Sequence, residues 1–459
     1  MLFTSAPFLL FFPVVCLGWY ALPAKVKPFW LLLANYYFYF CWHPGYTLLL
    51  LCTTVINFAG GHLFAPERKL NHRKGLFAFQ VLLSLSGLFF FKYLTFFSGI
   101  VTAVFGRFGV LIPTMELSLG VVGGISFYTL QALGYTIDVY LGKTERETNF
   151  ISFALFVSFF PLLLSGPIAR AGNLLPQLKK RPSYHAKEVE MGFIQMLWGY
   201  FKKMVIADGL AVFVNLAYAQ NARLPAASII LATVFYSFQI YCDFSGYSDI
   251  AIGAARMMGI CMPANFAGPY FATTIRDFWN RWHISLSGWL QDYIFTPIVW
   301  GAKPRHIGGR AAKPPIVPAL LLTFLASGLW HGASFNYVLW GLYNGILVVL
   351  STLLAKPRKK MLKKVGKTFA APLVSFLQTL GTFVLVSLGY VFFRSENLEQ
   401  AFSVFLLIPQ GVGALFSGTA MWETALSALT FFTENGPIIL LCTVAMLLFE
   451  YFEVKGKKP

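Results

Sequence analysis

The chain has 459 residues, of which 57% are hydrophobic, 17% aromatic and 12% charged, and 36 Lys and Arg against 18 Asp and Glu leave a formal net charge of +18. So few charges in so apolar a chain exclude a soluble globular protein and point to a polytopic membrane protein without a soluble domain. The basic surplus sits in short loops between apolar runs, which fits positive-inside topology rather than a nucleic-acid-binding surface.

A membrane span needs roughly 20 apolar residues, and the runs present predict an all-α fold of about ten or eleven transmembrane helices. The first three runs cover residues 8–22, 29–42 and 46–63. A basic turn with Lys25 and Lys27, a charge-free turn at 43–45, and a basic loop with Arg68, Lys69, Arg73 and Lys74 follow them in order. Two helices separate the two basic segments, so both are expected in the cytoplasm and the N-terminus outside. The N-terminal run lacks a basic n-region and a small-residue cleavage site, and reads as a retained span rather than a signal peptide.

Further runs cover 76–97, 99–112, 121–140 and 150–164, the last ending at the breaker Ser165, Gly166 and Pro167. Residues 174–190, with Lys179, Lys180, Arg181 and Lys187, read as a cytoplasmic polar loop. Residues 191–200 read as interfacial and 210–217 as a short apolar run. A longer run, 227–241, leads into Asp243, Ser245, Tyr247, Ser248 and Asp249. Carboxylates at membrane depth are costly, so they mark a functional interior there, unless Asp243 or Asp249 caps a helix at the interface.

After a basic, Gly- and Pro-rich loop at 300–315 come two apolar runs broken at 327–336, then the most basic loop, 356–367, expected in the cytoplasm. A span at 374–393 follows. Residues 401–407 and the Gly-containing stretch beyond are too short and interrupted for spans. Segment 394–436 is therefore expected to stay outside or re-enter, with 437–451 as the last span and a cytoplasmic C-terminus. No internal repeat is visible, which weighs against a repeat-built transporter.

The six cysteines are scattered, mostly in apolar runs, with no C-x-x-C and no nearby His pair, so neither disulfides nor a metal site is expected. No P-loop, dinucleotide fingerprint, nucleophile elbow or H-E-x-x-H occurs.

Two stretches carry chemistry. Residues 276–295 read RDFWNRWHISLSGWLQDYIF. At about 100° per residue, Arg276, Asn280, His283, Ser287 and Gln291 make a polar stripe, and Trp279, Trp282, Leu286, Trp289 and Tyr293 an aromatic one. This suits a helix lining a wet cavity, and equally an amphipathic helix at the bilayer surface. In residues 319–350, His331 stands in the middle of an uncharged apolar run, on a polar track with Thr323, Ser327 and Ser334. Gly328 and Gly332 would admit another helix closely. An intramembrane imidazole is suited to moving a proton near neutral pH; the plainer alternative is a neutral His bonded to Ser327 or a neighbouring helix. The two histidines could converge on one cavity. The others, His43, His62, His72, His185 and His306, sit near loops or span ends and read as solvated.

Residues 276–297 (RDFWNRWHISLSGWLQDYIFTP) with 327–345 (SGLWHGASFNYVLWGLYNG) resemble the signature pair of the membrane-bound O-acyltransferases. Residues 239–260 (QIYCDFSGYSDIAIGAARMMGI) and 124–140 (GISFYTLQALGYTIDVY) are also similar to that family, above all to its bacterial branch in alginate O-acetylation and teichoic acid D-alanylation. Three departures stand out. Cys242 replaces a common aromatic, 265–270 (NFAGPY) lacks a frequent second asparagine, and 298–310 (IVWGAKPRHIGGR) replaces a Gly-Gly-Asn-Arg run.

The resemblance implies one acyltransferase domain over 1–459, densest at 239–345, with re-entrant or interfacial helices around a funnel-like core in a bacterial cell membrane. It implies transfer of an acyl group, in the first place acetyl, from a cytoplasmic thioester to an extracytoplasmic polysaccharide or cell-wall glycan. The donor would be acetyl-CoA or an acylated carrier protein, with no bound cofactor and no metal. A secreted or membrane-tethered acetyltransferase-like partner would complete delivery. His331 matches the catalytic histidine and His283 the second motif histidine, and Asn280, Trp279, Arg276, Ser327, Asp243 and Tyr247 are the expected substrate-binding residues. A D-alanyl or lipid acyltransferase, and a transporter of acyl groups or glycan without chemistry, are the alternatives.

Overall fold

In a bilayer no water satisfies a bare backbone, so apolar runs of this length fold as helices. The computed structural model is helical, apart from a two-residue ladder pairing His306–Ile307 with Arg310–Ala311. It describes residues 1–65, 72–115, 122–180, 183–219, 225–301, 306–307, 310–311, 314–365, 371–417 and 435–456. Among these, six helices are long and apolar enough to cross a membrane: Pro44–Leu63, Arg73–Gly106, Ala226–Met257, Phe335–Leu353, Ala371–Arg394 and Gly436–Gly456. Ala6–Ala21 and Ile316–His331 are shorter apolar helices. The chain is an all-α polytopic membrane protein, as its composition requires. It divides into two compact units, residues 1–200 with 247–264 and residues 201–246 with 265–459.

In the first unit the runs expected at 76–97 and 99–112 form one continuous helix, Arg73–Gly106, with a π turn at Phe89–Tyr93. Ser98 between them does not break it, because its hydroxyl donates to the Thr95 carbonyl within the helix at 3.0 Å. The run at 150–164 is divided instead. Helix Phe150–Ser158 stops at Phe159 (ψ 103°) and a short helix resumes with Pro161 in its first turn. Buried Asn35 repairs the break, accepting from the Phe160 amide at 3.1 Å and donating to Ser158 Oγ at 3.3 Å. The expected polar loop at 174–190 holds a helix, Ala171–Lys180, because Leu174, Leu175 and Leu178 give it a buried stripe. Asp249 accepts from Gln195 Nε2 at 3.2 Å and caps no helix, and the Tyr247 ring packs 6.0 Å from that of Phe3.

In the second unit a π turn, Phe201–Ala207, precedes helix Asp208–Ala219. Lys203 pairs with Asp208 at 2.7 Å and Asp243 at 2.5 Å, so Asp243 is an ion-pair partner inside a long helix rather than a cap. Helices Ile316–His331 and Phe335–Leu353 form a hairpin packed at glycine contacts. A Cβ on Gly328 would fall 2.2 Å from the Tyr337 carbonyl oxygen, and one on Gly341 would fall 2.5 Å from that of Phe324. The expected basic loop at 356–367 begins as helix Ala355–Val365. The stretch judged too interrupted for a span is the helix Leu398–Ser417, which continues through Pro409. Residues 418–434, within the segment expected to stay outside or re-enter, lie outside the described residues.

Candidate active site

The stretch 276–295 is not the single helix its periodicity predicts. Helix Ile275–Arg281 starts at Thr274, whose Oγ1 accepts from the Asp277 amide at 3.0 Å, and ends at Trp282. His283 follows in the left-handed region at φ 42° and ψ 55°, helix Ile284–Leu290 comes next, and Gln291–Phe295 is a π turn. A bulky residue at positive φ is strained and persists only where its surroundings impose it. Asn265 imposes it here. Its Oδ1 accepts from the Ser285 amide at 3.2 Å and Ser285 Oγ at 2.9 Å, and its carbonyl accepts from the Ile284 amide at 2.9 Å. Phase in a sequence cannot show such a break, because the side chain responsible lies outside the repeat.

The same Oδ1 lies 3.2 Å from His283 Nδ1. An amide N–H can only donate, so the Asn265 atom facing Ser285 is the oxygen, and His283 Nδ1 must carry the hydrogen. In the neutral ring Nε2 then keeps its lone pair. His283 is 2% exposed. It lies outside the membrane-length helices, and burial, followed by the charge of nearby His331, pushes its pKa well below the ordinary histidine value. It is thus a neutral base at neutral pH.

His331 is the last residue of its helix rather than the middle of a span, because Gly332 turns extended (φ −172°) and Ser334 starts the next helix. Aromatic rings surround it: Trp330 at 4.9 Å, Trp340 at 5.0 Å, Phe393 at 5.0 Å and Tyr337 at 6.4 Å between centroids. The His283 ring stands edge-on to Phe244 at 4.6 Å and lies 5.8 Å from Trp330. One indole, Trp330, therefore touches both imidazoles.

Both histidines line one cavity of about 320 Å³. The whole expected polar stripe, Arg276, Asn280, His283, Ser287 and Gln291, lines it, as do Thr323, Ser327, Thr352 and His331 from the hairpin. Ser334 does not, since the helix ends before it. Trp279, Trp282 and Leu286 also line the cavity, although the periodicity placed them on a separate aromatic stripe; Trp279 stands only about 60° from Arg276, and Leu286 about 100° from Ser287, on their shared short helices, so the cavity takes in part of both stripes. Of the expected substrate-binding residues, Arg276, Trp279, Asn280 and Ser327 come together here, whereas Asp243 and Tyr247 do not line this cavity.

None of the remaining histidines whose side chains are described lines it. His43 stacks on Tyr46 at 4.1 Å, His62 Nδ1 lies 3.1 Å from the Phe58 carbonyl, and His185 Nε2 lies 3.1 Å from Ser183 Oγ. Sequence reasoning missed Asn265, Trp330, Trp340 and Phe393 as site residues. Asn265 stood in a noted motif without a role, and nothing in the sequence ties Phe393 to His331, 62 positions away.

A buried base beside a second imidazole, in a cavity to which both the 276–295 stretch and the hairpin contribute polar and apolar side chains, suits proton transfer away from bulk water. A model of the MBOAT, membrane-bound O-acyltransferase family, matches residues 143–387. The chain is 36% identical to the probable alginate O-acetylase AlgI of Pseudomonas aeruginosa over 408 residues, covering 88% of this chain and 74% of that protein. It is 32% identical to a peptidoglycan O-acetyltransferase of Helicobacter pylori, covering 88% and 79%, and 32% identical to a teichoic acid D-alanyltransferase of Bacillus subtilis, covering 52% and 60%. With both histidine stretches inside the matched region, the chain belongs to the membrane-bound O-acyltransferase family and is a multi-pass membrane O-acyltransferase.

Proposed function

We propose that this enzyme moves an acetyl group from a cytoplasmic thioester, acetyl-CoA or an acylated carrier protein, toward hydroxyls of an extracytoplasmic polysaccharide or cell-wall glycan, and that His331 is its general base. The observation that carries the reading is that His331 and His283 share one cavity and one indole. A volume of about 320 Å³ is near the bottom of the ~300–1,000 Å³ usual for small-molecule sites, which favours a short acyl group over a lipid chain.

His331 takes the proton of the acceptor hydroxyl as its oxygen attacks the thioester carbonyl. The new C–O bond forms, the C–S bond breaks, and the proton passes to the departing thiolate. His283, held by Asn265, supports His331 from across Trp330, and Asn280 and Trp279 position the donor or stabilise the oxyanion. Arg276 and Ser327 bind substrate on the same walls. The residues of the whole chain act as one acyltransferase domain, with the basic segments and C-terminus cytoplasmic and the N-terminus outside. A secreted or membrane-tethered acetyltransferase-like partner completes delivery to the glycan, and the relatives named for O-acetylation of alginate and peptidoglycan support an acceptor of that class.

The test is transfer of label from radiolabelled acetyl-CoA by the purified protein, with and without that partner. His331→Ala is expected to lower turnover at least about 10²-fold while the protein inserts normally; undiminished transfer would overturn the assignment. A D-alanyl donor is the second reading, favoured by the teichoic acid D-alanyltransferase relative, and D-alanyl carrier protein in the same assay distinguishes it.

A further inference from the structure

Helix Ala355–Val365 begins two residues after the membrane-length helix Phe335–Leu353 ends. Lys356, Lys359, Lys360 and Lys363 stand at i, i+3, i+4 and i+7, which puts four ammonium groups on one face. Leu354, the residue just before the helix, and Met361 stand seven apart on the opposite side, beside Arg358 with its long snorkelling side chain, and they are 57% and 50% exposed, with Leu353 at 61%. The four lysines have no ion-pair partner among the described residues. Nor is one available nearby in sequence, since between Asp292 and Glu396 there is no acidic residue. An exposed cationic face backed by an exposed apolar face, at the end of a membrane-length helix, is unstable in water and fits the boundary between lipid headgroups and acyl chains.

We propose that Ala355–Val365 is an interfacial helix that binds anionic lipid headgroups through Lys356, Lys359, Lys360 and Lys363, with Leu353, Leu354 and Met361 dipped into the acyl region. Phosphate from a soluble ligand would meet the lysines equally well, but it would leave the three apolar side chains in water. The lipid accounts for both faces. The helix also adjoins the site: Thr352 and Val348, at the end of the preceding helix, line the cavity. Lipid bound here therefore anchors the segment that carries one cavity wall.

The test uses the full chain in neutral detergent and follows thermal unfolding during titration with phosphatidylglycerol, phosphatidylcholine or inorganic pyrophosphate. Phosphatidylglycerol is expected to raise the midpoint and phosphatidylcholine to leave it near its starting value. The variant K356Q/K359Q/K360Q/K363Q should need at least about tenfold more phosphatidylglycerol for the same shift, because each cation near an anionic surface contributes roughly 1 kcal/mol, or about fivefold. The corresponding Lys→Arg variant should behave as the parent. Equal response of the Gln variant and the parent would overturn the proposal, as would pyrophosphate matching the lipid. Should the Gln variant fail to fold, high salt must abolish the lipid shift of the parent, and persistence of the shift would be equally fatal.

Discussion

Asn265 Oδ1 lies 3.2 Å from His283 Nδ1 and also receives the Ser285 amide at 3.2 Å and the Ser285 hydroxyl at 2.9 Å. One carbonyl oxygen thus sets the backbone of the left-handed turn and the tautomer of the imidazole within it. Replacing Asn265 by Ala should cost about 1–3 kcal/mol from the unpaired amide. It should also slow transfer about 10²-fold through displacement of His283. Thermal unfolding and steady-state kinetics on the same preparation check both. Loss of stability with unchanged kcat would separate the turn from the chemistry.

The depressed pKa of His283 has a defined consequence for stability. The folded state holds the ring neutral, whereas the unfolded chain protonates it near pH ~6.5. As pH falls through that value the unfolded state binds the additional proton, so stability conferred by neutral His283 is present above it and lost below. The unfolding midpoint, measured from about pH 8 to about pH 5, should fall, and His283→Phe should show a shallower fall over that window.

Gly341 sits where a Cβ would approach the Phe324 carbonyl oxygen to 2.5 Å, backbone against backbone. Neither side can rotate away. Gly341→Leu should destabilise by about 1–3 kcal/mol and open the wall that carries Thr323 and Ser327. A lower unfolding midpoint together with a raised KM is the expected readout, and a parent-like protein would show that the hairpin can spread.

Behind the cavity wall, Tyr241 donates its hydroxyl to Glu450 Oε1 at 2.5 Å, both side chains being buried, and its ring lies 5.9 Å from cavity-lining Trp282. Tyr241→Phe removes a hydrogen bond to a buried carboxylate and should cost about 1.5–3 kcal/mol. Glu450→Gln, which retains an acceptor, should cost less. Urea or thermal unfolding of the two variants checks the order, and the reverse order would mean that the carboxylate charge has a more important partner than Tyr241.

Composition determined the class of this protein, because an apolar chain with so few charges has no stable folded form except in a bilayer. The two histidine stretches were also readable, since polar side chains spaced at helical intervals within apolar runs have few uses in lipid besides lining an interior. Periodicity assumes an unbroken helix, however, and here it failed at three places: His283 turned the chain, Arg73–Gly106 ran on through an expected gap, and the basic segment at 355–365 coiled. The turn at His283 depended on Asn265, a side chain outside the local pattern. Only the tertiary structure brought Asn265 to His283 and Phe393 to His331, and it left Asp243 paired with Lys203 instead of in the cavity. Residue types and their spacing determined which groups could do chemistry. Which of them meet was decided by packing, because contacts across many tens of residues depend on how helices dock and leave no periodic trace in the chain.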